Sequence, residues 1–238
     1  MVEEIYLEIN IIKNLFIGRY SRNYYKRYIL PISFSIFFTL LIISRIAFPG
    51  FYSITTNAIS DLGNPILNPF PGWFFFSLAF WSMAILFPPL FLYLHHRLIK
   101  IHKIEATLGT ISNFVSIFGM ILLGIFPNLP EIMTIHLIAA VLSFGGLGLA
   151  ITFYWLAIIH DSIQKAMRYH HLGIVMILVI ITFLLAAISF LGIFEISSEI
   201  FLIDIAWLLN YPFWEWVLFI LFALQLFFIG LIIPKQFS

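Results

Sequence analysis

An all-α integral membrane protein, folded as a six-transmembrane-helix bundle, is the class this sequence predicts, and three observations predict it. Of 238 residues, 62% are hydrophobic and only 10% are charged. Soluble domains average about 45–50% apolar and about 25% charged, so too few polar side chains remain here to clothe a water-facing surface. Six apolar runs, at 28–48, 73–94, 107–126, 135–159, 172–194 and 214–233, each approach the ~20 residues a helix needs to cross a ~30 Å hydrocarbon core. Finally, eleven of the twelve basic residues fall on one side of the alternating spans, leaving only Arg45 on the other. The positive-inside bias then places both termini in the cytoplasm, in a multi-pass arrangement expected in the cell membrane.

Each run is helical because lipid offers no partner for an open backbone. Pro49-Gly50 closes the first span, Pro127 the third, and Pro212 stands where the sixth begins. Pro88-Pro89 inside the second is expected to kink it. Residues 1–27 lack the short apolar run and small-residue cleavage site of a signal peptide. Ile5, Ile9, Ile12 and Phe16 recur there at helical spacing, so a basic amphipathic helix on the inner leaflet and a plain solvated tail are both open. The connection 195–211 is too acidic to insert but rich in Ile, Phe and Trp, and is expected on the outer interface. The membrane domain therefore spans 28–238, with 1–27 as a separate cytoplasmic segment.

No Asp, Glu, Lys, Arg or His falls in the middle third of any span, which argues against proton relays, ion-coupled transport and voltage sensing. Asn113 and Gln225 are the deep polar groups, expected to hydrogen-bond between helices. Gly109, Ser112, Ser116 and Gly119 in span three share a helical face, as do Ala139, Ser143, Gly146 and Ala150 in span four. Small residues on facing stripes let backbones approach closely, so these two spans should pack together; a slot for a lipid chain is the lesser alternative. Cysteine is absent, which removes disulfides and thiol chemistry. Six of the seven histidines, His95, His96, His102, His160, His170 and His171, sit on the basic side. Interfacial decoration is favoured over a metal site, because neither their spacing nor any carboxylate except Asp161 supports ligation; neither metal nor cofactor is expected.

The outer face carries the candidate chemistry. Arg45 ends span one, Asn57, Ser60, Asp61 and Asn64 follow in the longest outer connection, Asn128 and Glu131 follow span three, His136 enters span four, and Glu215 opens span six. The structural reading of 60–65 is a turn with Ser or Asp capping and Gly63 at positive φ. The functional reading is a convergent pocket in which Arg45, Asn57, Asp61, Asn64 and Glu215 hold a ligand. No catalytic residue is assigned, but Ser60, Asp61, His136 and Glu131 are the candidates. Asp61 is expected to pair with Arg45, since an unpaired guanidinium near hydrocarbon is costly.

The Ile59-Ser60-Asp61-Leu62-Gly63 string, the Gly124-Ile125-Phe126-Pro127 turn and His136 resemble the membrane family called domain of unknown function 998, over roughly residues 29–233. More remotely, the six-span layout and the Ser-Asp element are similar to Frag, DRAM and Sfk type membrane proteins. That group's association with glycolipid-anchor remodelling, lipid distribution and autophagy implies lipid-related work without assigning catalytic residues. The leading expectation is binding or sensing of a lipid head group at the outer mouth of the bundle. A lipid-modifying hydrolase or transferase using Ser60, Asp61 and His136 is the alternative, and a structural partner of another membrane protein a further one. Partners are thus membrane lipids and not nucleic acid, with a membrane protein or a second copy of the chain as additional options.

Overall fold

A computed structural model describes residues 13–164, 177, 180, 181 and 211–232. The expectations for the fifth span, for 195–211 and for the first twelve residues lie outside them, the helical positions 177, 180 and 181 excepted. Among the described residues there is no strand, and five helices are long and apolar enough to cross a membrane. They are α1 (Arg22–Ala47), α2 (Gly72–Leu98), α3 (Lys103–Ile125), α4 (Pro130–His160) and α5 (Pro212–Gly230). The chain is an all-helical membrane protein whose helices coincide with the first, second, third, fourth and sixth apolar runs. Consecutive helices pack side by side, and α5 returns to lie against α4 and the start of α1.

The largest departure is at the start of α1, six residues before the apolar run. Ser21 accepts a hydrogen bond from Tyr24 N at 3.1 Å, and the chain passes through a π turn at Tyr25–Ile29 before settling into α-helix. Aromatic packing holds this extension. Tyr20 and Tyr25 stack on Tyr93 of α2, with ring centroids 5.1 Å and 4.3 Å away, and the Tyr20 hydroxyl donates to Pro89 O at 2.8 Å. Gly18, at φ +71°, presses on the backbone of Leu92 and Tyr93 so closely that a Cβ would collide with it. Gly18, Tyr20 and Tyr25 thus pack on α2, while the rest of the 1–27 pattern, with Ile5, Ile9 and Ile12, lies outside the described residues. Helix α2 itself runs unbroken through Pro88 and Pro89.

Packing between α3 and α4 follows the small-residue stripes. A Cβ on Gly146 would lie 2.7 Å from Ser116 N and 2.8 Å from Ser112 O, and one on Gly119 would strike the Leu142–Ser143 backbone. Helix α4 meets this seam through a π turn at Val141–Gly145, and the Ser116 hydroxyl donates to Ser143 O at 2.7 Å. Backbone touches backbone, which leaves no slot for a lipid chain there. Deeper polar groups add two ties: Asn113 Nδ2 of α3 donates to the Tyr154 hydroxyl of α4 at 2.8 Å, and Trp155 Nε1 of α4 donates to Gln225 Oε1 of α5 at 2.7 Å. Around them Phe37, Phe76, Phe87, Phe91 and Leu226 are buried in one apolar cluster.

The atoms facing Gly146 and Gly119 are main chain and cannot rotate away. Gly146→Ala and Gly119→Ala should each cost about 1–3 kcal/mol by overpacking. Leu149→Phe, on the exposed side of α4, serves as the tolerated control, because Leu147 beside it is itself buried. Thermal unfolding of the three variants in one detergent checks this, and equal midpoints would refute the seam.

Candidate functional site

The connection from α1 to α2 forms a cap at the end of the bundle opposite the basic one. Two side chains knit it to the helix ends. Ser44 Oγ donates to Gly72 O at 2.9 Å, and Asn68 Nδ2 donates to Leu62 O at 2.8 Å and to Ser44 Oγ at 3.2 Å. A Cβ on Gly72 would overlap the Asn68 amide, so glycine is required where the chain enters α2. Between these anchors lies a 3₁₀ turn at Ile59–Gly63. Asp61 closes it, its Oδ2 accepting from Ala58 N at 3.0 Å. Gly63 does not supply the expected positive φ; its missing side chain instead leaves room for the Phe76 ring.

Three other parts of the chain reach this turn. Glu215 of α5 accepts from Ile59 N at 2.9 Å, across 156 residues, and faces the Ser60 hydroxyl as well. Trp216 Nε1 donates to the Tyr52 hydroxyl and to Asn57 O, both at 3.1 Å. From the connection after α3, Asn128 Nδ2 reaches Ser60 Oγ and Asp61 Oδ1, each at 3.4 Å, while Asn64 Nδ2 donates back to Asn128 O. These bonds bring Ser60, Asp61, Asn64 and Glu215 to one turn. Asn128 and Trp216 complete the group although no ligand role was expected of them; only the polarity of the first and the position of the second beside Glu215 hinted at it.

Not every candidate joins them. His136 is buried and its Nδ1 bonds to Phe126 O at 2.9 Å. A carbonyl can only accept, so Nδ1 carries the proton. No hydrogen bond links His136 to Ser60, Asp61 or Glu131 among the described residues, and Glu131 is exposed. The expected Arg45–Asp61 pair does not form either. Arg45 Nη2 donates to Tyr52 O at 3.1 Å, and its guanidinium lies 4.9 Å from the centre of the Tyr52 ring. The reason is local. The chain turns at Phe48, bringing Tyr52 back over Arg45, while the Asp61 carboxylate is consumed by its own turn. Asn57 Oδ1 is likewise occupied, by Ser53 N at 3.1 Å and by the Thr56 hydroxyl.

At the opposite end, His102, Glu105 and His160 form a group whose potential ligand atoms all lie within 4.8 Å of one another. Two of this end's imidazoles, His102 and His160, therefore meet at one carboxylate. The spacing of His102 and Glu105 was a visible signal; the approach of His160 from another helix was not.

Burial pushes the Asp61 carboxyl above its ordinary value of 3.8, against the opposing pull of its bonds to Ala58 N and Asn57. A raised folded-state pKa favours the protonated form, so this contribution to stability is complete below the ordinary value and fades as pH rises through the folded one. Asp61→Asn keeps an acceptor for Ala58 N and should flatten that decline, whereas Asp61→Ala should cost about 0.5–2 kcal/mol for the lost cap. Because Arg45 and Asp61 do not touch, the losses from Arg45→Gln and Asp61→Asn should add in the double variant. Chemical or thermal unfolding across a pH series measures both, and strong coupling between the two sites would contradict the geometry.

Among known proteins, no curated protein and no solved structure matches this chain. One family does, described as "Protein of unknown function (DUF998)", over residues 31–211. Those residues take in the connection from α1 to α2 with its Ser60-Asp61-Leu62-Gly63 turn, Asn128 and His136, and end before Glu215 and Trp216. The chain is therefore a member of the DUF998 family.

Proposed function

We propose that this protein is a six-span membrane protein with both termini in the cytoplasm, and that it holds the phosphate of a lipid head group against Arg45 at the outer end of the bundle. The observation that carries the reading is the state of Arg45. It is half-buried in the last turn of α1, it makes one hydrogen bond to a carbonyl, and no carboxylate pairs with it among the described residues. A guanidinium at the hydrocarbon edge calls for an anion, and its planar fork suits phosphate. Around it Ile46 and Phe51 are 76% and 88% exposed, an apolar rim suited to the acyl boundary. The other candidate ligand groups are committed to main-chain partners, which narrows the contact to Arg45.

Lipid retained through purification and identified by mass spectrometry tests this. Arg45→Gln should deplete an anionic phospholipid that the wild type retains, while Asp61→Asn should leave it in place. Unchanged lipid in Arg45→Gln would leave the residue as a snorkelling cation with no ligand.

Orientation has its own test, simplified by the absence of cysteine. Single cysteines at Asn64, Asn128 and Ser198 should react with an impermeant maleimide on intact cells, and those at Lys100, Lys165 and Lys235 only after permeabilisation. Reaction of Lys165→Cys in intact cells would rule out the six-span topology.

A further inference from the structure

His102 and Glu105 lie at the N-terminus of α3, His102 as the cap residue in extended conformation and Glu105 in the first turn. His160 is the last residue of α4, within the helical segment Gly146–Gln164. The two oxygens of one carboxylate serve both rings: Glu105 Oε2 meets His102 Nδ1, and Oε1 lies 3.0 Å from His160 Nδ1. The Glu105 side chain is only 12% exposed, whereas His102 and His160 are 35% and 45% exposed. A nearly enclosed carboxylate thus forms the floor of a notch whose walls are two imidazoles, with ring centroids 4.9 Å apart. The positive end of the α3 dipole favours the ionised carboxylate.

We propose that His102, Glu105 and His160 bind a divalent first-row transition-metal ion, zinc foremost, at the basic end of the α3–α4 pair. Two nitrogens and one oxygen from three side chains make the set used by open zinc sites, with the fourth position left to water. Magnesium and calcium fit poorly, because they take oxygen donors, whereas imidazole selects the zinc, copper, iron and nickel group. Tetrahedral bonds of about 2.0–2.1 Å hold ligand atoms roughly 3.3 Å apart. The atoms here span at most 4.8 Å, so small rotations of three partly exposed side chains close the set. In place of two imidazoles leaning on one carboxylate, the ion draws all three onto itself and staples α3 to α4 where their small-residue seam ends. The site is remote from Arg45 and independent of the head-group reading.

Full-length protein without a histidine tag, stripped with chelator and titrated with zinc or with cobalt as a spectroscopic stand-in, provides the test. The wild type should bind one equivalent and unfold at a higher temperature when loaded. Glu105→Gln preserves shape and hydrogen bonding but removes the anionic ligand, and should weaken binding by about tenfold or more. His160→Gln should do the same and covers the case in which Glu105→Gln fails to fold. His96→Gln, whose ring bonds to Leu92 O in its own helix, should bind like the wild type. Absence of stoichiometric binding to the wild type, or full affinity in both ligand variants, overturns the site.

Discussion

Asn68 is wholly buried beneath the connection between the first two spans, where its amide nitrogen meets three acceptors: Leu62 O, Ser44 O and Ser44 Oγ. Ser44, equally buried, passes its own proton to Gly72 O. At the edge of a bilayer such carbonyls have little water to turn to, and an unmet buried polar group costs about 1–3 kcal/mol. This knot fixes where α1 ends, where α2 begins, and how the loop between them folds over the bundle. Everything placed on the cap depends on it. The 3₁₀ turn can present Ile59 N to Glu215, and Ser60 and Asp61 to Asn128, only because Leu62 O is tied down one turn later.

Below the cap, two different solutions hold helices together in a solvent as apolar as their own side chains. Between α3 and α4 the contact is backbone on backbone, made by Gly119 and Gly146 and sealed by the Ser116 bond to Ser143 O. Between α1 and α2 it is aromatic: Tyr20 and Tyr25 lie flat on Tyr93. A polar ladder runs from the basic end into the bundle, His95 to Thr110 at 2.8 Å, Thr110 to Tyr154 at 3.3 Å, and Tyr154 to Asn113. Each rung satisfies a group that lipid would leave bare.

Much of this was legible in the residues. Hydropathy located the membrane-crossing helices because length and apolarity are the property that inserts them. The seam was legible because glycine, serine and alanine at helical spacing state how near a partner may come. The true start of α1 was not, since Tyr24 to Tyr28 mixes aromatic with basic residues, and its helicity comes from stacking on Tyr93. Arg45 was misassigned because nearness in sequence to Asp61 said nothing of Tyr52, which the turn at Phe48 brings closer. His102 and Glu105 were legible as neighbours one turn apart. Their meeting with His160 depends on the rotational register of two helices, which no single stretch of sequence encodes.

The bond from Ile59 to Glu215 joins residues made far apart in time. The chain leaves the ribosome from its N-terminus, so the cap around Ser60 is synthesised and delivered to the membrane surface long before the helix bearing Glu215 and Trp216 exists. Until that helix inserts, Ile59 N and Asn57 O lack their partners. Completion of the cap therefore waits on the final helix, and a chain ending before residue 215 would leave Ile59 N and Asn57 O without these two partners.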